Sequence, residues 1–240
     1  MAGNETVIPV IGAAPFPIAG PLRRRGDWPT LLRLLPHTEV IMALLLPGEL
    51  AWYVTGRFYE RSDQSLADYG YFLHLAGIEA DLFRGEPSER TAHFTFAAEP
   101  FTPRSGVSNG SLSLGRDPVG DFSVYLQQEP AGDFNDPLSF ARGQRIATFR
   151  RVNIVVGTTL DVAGPGKPQP LLSSNVFSAR LLISDPFEFA GRRYDLRHQI
   201  GKGVTQFGTA AAAPLPADQT PKDYVSAVAF SGSALALIGS

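Results

Sequence analysis

The sequence predicts an all-β protein: an antiparallel β-barrel preceded by a short helix and an extended, proline-rich arm. Three observations carry that expectation. From residue 50 onward the chain is a succession of runs rich in Val, Ile, Phe, Tyr and Thr, residue types that suit a pleated, half-buried surface. Turn residues punctuate the runs at short spacing: SNG from 108, DPVGD from 117, PAGDFNDP from 130, GPGKPQP from 164 and PADQTP from 216. No long segment of helical period separates them, which favours a barrel or sandwich over an α/β sheet.

In chain order, residues 1–26 read as an arm broken by prolines, with apolar side chains that need the body of the protein or a partner subunit to lie against. Asp27 can cap a helix over 27–35, with Pro29 in its first turn, Leu31, Leu32, Leu34 and Leu35 on its apolar side, and Pro36 ending it. Residues 39–46 fit either a strand or a second short helix, because short apolar runs do not settle the period. Strands are then expected at 52–60, 69–83, 90–98, 111–114, 121–127, 145–162, 176–184, 187–194 and 226–238. Gly157 and Gly232 mark expected bulges or bends, and 210–213 reads as a loop. Residues 27–240 are taken as a single domain.

Composition narrows the function. With 44% hydrophobic residues over 240 positions the chain can bury a sizeable core. A net charge of −2 and a pI near 6.1 give no attraction to phosphate, so no nucleic-acid partner is expected. The lack of cysteine rules out disulfides and thiolate metal sites. The longest apolar run, 40–46, falls short of the ~20 residues of a membrane helix, and the N-terminus lacks the pattern of a secretory signal, so a cytoplasmic location is expected.

Most short motifs fail on context. His74, His93 and Glu79 lack the spacing of a metal site, and no metal or cofactor is expected. The string Gly106-Val107-Ser108-Asn109-Gly110 matches a nucleophile elbow but stands before a β-like run, where a hairpin turn explains it better. Acid/base chemistry in a pocket is the sharper hypothesis. Strand parity places Glu79 with Tyr69, Tyr71, Leu73 and Leu75, an apolar face that would keep its carboxyl protonated as a general acid. His74 and His93 fall in mid-strand, where solvent access is expected to be limited. His93 shares parity with Thr91 and Thr95, opposite Phe94 and Phe96, and parity leaves open which side lines a cavity. Glu79, His93 and Tyr71 are the catalytic candidates. Trp52, Tyr53, Tyr69, His74 and Phe94 are the substrate-binding candidates.

The run Pro47-Gly48-Glu49-Leu50-Ala51-Trp52-Tyr53-Val54-Thr55-Gly56, followed by Tyr69-Gly70-Tyr71 and then Ala92-His93-Phe94, resembles the lipocalin-like family that includes carotenoid 1,2-hydratases (hydroxyneurosporene synthases) and related natural-product cyclases. The resemblance covers residues 47–96. It implies a lipocalin-like, calycin-like barrel that binds apolar polyene, terpenoid or polyketide-like intermediates and hydrates, cyclises or isomerises them without a metal. It also implies that Trp52, Tyr53, Tyr71 and His93 stand on pocket-forming strands. The function expected is therefore a cofactor-independent cyclase, isomerase or hydratase acting on an apolar small molecule. The alternatives are a non-catalytic carrier of such a molecule, or a structural β-sandwich. A homodimer is compatible with the apolar arm.

Overall fold

The computed structural model describes residues 48–98, 104–109, 112–116, 120–152, 156–162, 169–211 and 213–237, all within one compact unit, Ile41–Ser240. The expected arm over 1–26, the helix over 27–35 and the segment 39–46 lie outside the described residues.

Among the described residues thirteen strands follow one another: β1 (Leu50–Glu60), β2 (Leu66–Leu75), β3 (Phe94–Ala98), β4 (Arg104–Asn109), β5 (Leu112–Arg116), β6 (Asp121–Leu126), β7 (Gln144–Arg151), β8 (Val156–Val162), β9 (Gln169–Ser184), β10 (Phe187–Phe189), β11 (Arg192–Tyr194), β12 (Gly203–Ala211) and β13 (Ser226–Leu237). Eight of them, β1-β2-β3-β6-β7-β9-β12-β13, close into an antiparallel barrel in which β13 returns to β1. Hairpin β4–β5 is inserted between β3 and β6. Strand β8 runs beside β9 beyond the point where β7 leaves it, so Arg151 faces Ala179 and Val156 faces Val176. Each barrel strand thus neighbours its predecessor, an up-and-down path that leaves no barrel edge unpaired.

The period-2 alternation decides what points inward. On β1, Trp52 and Val54 are buried in the interior while Tyr53 and Arg57 face out. Inward rings need room, and two inward glycines face each other to make it: Gly56 on β1 and Gly70 on β2. A Cβ on Gly70 would lie 2.7 Å from the Phe96 ring and 2.1 Å from the Thr55 carbonyl oxygen. One on Gly56 would lie 3.0 Å from both Phe96 and Phe230. The rings occupy the space that the two glycines leave.

One barrel end is plugged. Hairpin β10–β11 turns through Ala190 and Gly191, both at positive φ, and leads into α1 (Leu196–Ile200), whose N-cap Asp195 accepts the Arg197 amide. Phe187, Phe189, Tyr194, Leu196 and Ile200 pack into the interior cluster, with Phe189 and Phe187 at 4.9 and 5.9 Å from the Phe94 ring. Outside the barrel, a second apolar cluster joins the outward Tyr59 and Tyr69 to Phe140 of the 3-10 turn Pro137–Ala141. Thr95 fastens that turn by donating its hydroxyl to the Phe140 carbonyl at 2.6 Å.

Several expected boundaries shift. The segment 145–162 is two strands, and 187–194 is a hairpin. The strand expected to run to residue 83 ends at Leu75, where Gly77 at φ 79° turns the chain. The expected loop at 210–213 is partly the end of β12, and residues 203–211 form a barrel strand that the sequence reading lacked. Bulges fall at Tyr53/Val54, Val124/Tyr125, Thr148/Phe149 and Leu160/Asp161, whereas Gly232 pairs in regular register with Val54 and Gly208. Ser108 lies on β4 opposite Ser113, in a hairpin with no helix after it.

Candidate functional site in the barrel interior

All eight barrel strands contribute to one interior pocket. Its walls are mostly aromatic: Trp52, Phe72, Phe96, Phe122, Phe177 and Phe230, with Val54. Its polar groups are Asp68 of β2, Arg151 of β7 and Gln206 of β12. The space among them comes to about 310 Å³ with the part open to solvent included, near the lower end of small-molecule sites. The enclosed part alone has room for little more than a water molecule. A larger occupant therefore has to displace phenylalanine rings.

Asp68 and Arg151 form the polar centre. Their ion pair is 2.7 Å long, with side chains only 9% and 5% exposed. The guanidinium also lies over Phe177 and Phe122, 5.1 and 5.8 Å from the ring centroids, where the electron-rich faces attract it. Asp68 gives one carboxylate oxygen to Arg151, and its other oxygen, Oδ1, is buried with no hydrogen-bond partner. Burial pushes the Asp68 carboxyl above the ordinary carboxylate range, with Arg151 pulling the other way. Nearby, the Trp52 indole donates to the Gln206 side-chain oxygen at 3.2 Å and meets Phe149 and Phe72 edge to face.

The expected site residues scatter. Trp52 lines the pocket, and Phe94 is buried in the same interior cluster, against the plug. Tyr53 points outward and is 47% exposed, and His74, its partner across the sheet, is exposed rather than shielded. Tyr69 and Tyr71 face the outer cluster, where burial raises both phenols above their usual range. His93 is half-buried beside the plug, its Nδ1 2.9 Å from the Gln127 carbonyl and its ring against Phe189. The largest correction concerns Glu79. Because β2 stops at Leu75, Glu79 does not project from the strand's apolar face; its carboxylate is 71% exposed and ion-paired with Arg192. Glu79, His93 and Tyr71 are not brought together around the pocket.

Asp68, Arg151 and Gln206 were missed, although the signal was present. Asp68 shares strand parity with Gly70 and Phe72, and Arg151 with Phe149: charged residues at core positions. Among the described residues, no three His, Asp or Glu side chains gather as metal ligands, and no helix is long and apolar enough to cross a membrane.

The class defined by fold and site is a closed eight-stranded antiparallel barrel holding one buried carboxylate–guanidinium pair among aromatic rings. Comparison with protein-family models, curated proteins and solved structures finds no match.

Proposed function

We propose that the barrel takes an apolar small molecule into its aromatic interior and rearranges it by acid/base chemistry, as a cofactor-independent isomerase, cyclase or hydratase. One observation carries the reading: a buried carboxyl group, Asp68, that keeps a hydrogen-bonding oxygen unused while facing phenylalanine rings. A buried polar atom without a partner costs about 1–3 kcal/mol, and such a cost persists where function requires it. Asp68 takes the proton-transfer role that the sequence suggested for Glu79 and His93. Its pKa, raised by burial, makes it a stronger base than an exposed aspartate. Arg151 supplies positive charge beside it, and the rings hold an apolar body in place.

Trp52 makes the proposal testable, because Trp28→Phe leaves it as the sole indole of a chain with two tryptophans. Polyene and fused-ring probes should quench its fluorescence and raise Tm, and silence in both readouts refutes an apolar site. A bound compound converted by wild type and left intact by Asp68→Asn supports catalysis. Binding by both with conversion by neither makes the barrel a carrier, and equal conversion by both removes Asp68 from the chemistry.

A further inference from the structure

The charge inside the pocket restricts what it can transform, an inference that rests on reading the barrel as an apolar-molecule site. Asp68 and Arg151 sum to zero, and aromatic walls surround them. A substrate bringing its own charge would leave an unbalanced ion in that interior, at a cost of several kcal/mol. A neutral substrate escapes this cost only if the charge formed during reaction also stays beside Arg151.

We propose that the substrate class is a neutral, flat, enolisable ketone, with Asp68 as the proton-carrying base and Arg151 as the group that receives the enolate oxygen. Asp68 Oδ1 removes a proton from the carbon next to the carbonyl. The C–H electron pair becomes the new C=C bond, and the carbonyl π pair moves onto oxygen. The negative charge passes from carboxylate to enolate, so the net charge stays zero throughout and the guanidinium exchanges one anionic neighbour for another. Protonated Asp68 then returns the proton to the same carbon or to a conjugated one, and the second outcome moves the double bond. No further reactant enters. Oδ1 is the oxygen free for this work because Oδ2 holds Arg151 at 2.7 Å.

Four fused-ring probes test this on the unmodified protein: naphthalene, 2-naphthol as a neutral enol mimic, 2-naphthoate as an anion and 2-(aminomethyl)naphthalene as a cation. Calorimetry should show 2-naphthol binding about tenfold or more tighter than each of the others, the size expected of a hydrogen bond to a charged group. In D₂O, 2-tetralone should gain deuterium next to its carbonyl faster with wild type than with either Asp68→Asn or Arg151→Met. Naphthalene binding as tightly as 2-naphthol, a preference for either ion, or 2-tetralone exchange no faster than in buffer overturns the inference while leaving an apolar site standing. Failure of all four probes to bind removes the underlying reading itself.

Discussion

Removing one member of the Asp68–Arg151 pair should cost far more than removing both, and the two single changes should differ in how stability varies with pH. Both side chains are under a tenth exposed, so solvent screens their interaction little. Breaking a buried pair typically costs about 3–5 kcal/mol, because the survivor is left as an uncompensated charge. For a chain of this size that corresponds to a fall in Tm of roughly 6–20 °C. Asp68→Asn strands a guanidinium that stays charged at any accessible pH, although Phe122 and Phe177 still offer it their faces, and with no carboxyl left at this position the variant should lack the decline in stability that the raised Asp68 pKa gives wild type as pH climbs. Arg151→Met strands a carboxyl that can escape by taking a proton. Asp68 already has a pKa raised by burial, and losing Arg151 removes the effect that opposes the rise. A group with a raised folded-state pKa contributes stability below its unfolded value and loses it as pH climbs through the folded value. The Arg151→Met penalty should therefore be small near pH 4 and grow toward pH 8. The double change Asp68→Leu with Arg151→Met should be neutral or stabilising by about 1–4 kcal/mol, since well-packed apolar groups replace two desolvated ions. Urea unfolding of the four proteins across that pH range measures each quantity. A double variant as unstable as the sum of the singles, or an Arg151→Met penalty flat with pH, refutes the assignment of the pair to function over stability.

Gly70→Ala should destabilise by about 1–3 kcal/mol, the usual cost of overpacking, because its Cβ would fall 2.1 Å from the Thr55 carbonyl oxygen; a Tm equal to wild type would contradict that geometry. Tyr59 and Tyr69 have phenols pushed well above their ordinary value of 10.0 by burial, so alkaline titration should leave their phenolate absorbance missing until the barrel unfolds. With folded pKa values raised, their stabilising contribution is complete below pH 10 and is lost above it, and Tyr59→Phe with Tyr69→Phe should flatten that alkaline loss. Glu79→Gln should leave Tm close to that of wild type, because solvent already screens so exposed an ion pair, and leave probe binding intact; lost binding would return Glu79 to the site.

Much of the barrel was legible because strand signals are local. The alternation Trp52, Val54, Gly56 and Phe58 against Tyr53, Thr55, Arg57 and Tyr59 separates the two faces of β1 correctly, and the β-rich runs separated by turn clusters lead to an antiparallel barrel. The errors share a cause. Treating 69–83 as one strand carried parity past Gly77, where the chain turns, and so placed Glu79 on a face it never joins. The histidines attracted attention by residue type, but His74 is on the outside of the wall and His93 beside the plug. Strand β12 carries Val204, Thr205, Phe207 and Thr209, but two glycines and the run of alanines from 210 dilute that signal; it is a barrel strand because β9 and β13 pair with it on either side.

By itself the sequence determined that this chain is a β protein with greasy strand faces, since alternation and turn chemistry are read within a few residues. Tertiary structure alone decided which face became the interior and which polar groups met there. Asp68 and Arg151 are 83 positions apart and act as a pair only because barrel closure brings β2 and β7 across a shared interior. Contacts of that kind depend on strand order and register, which are set by the whole closed sheet and leave no mark in any one segment.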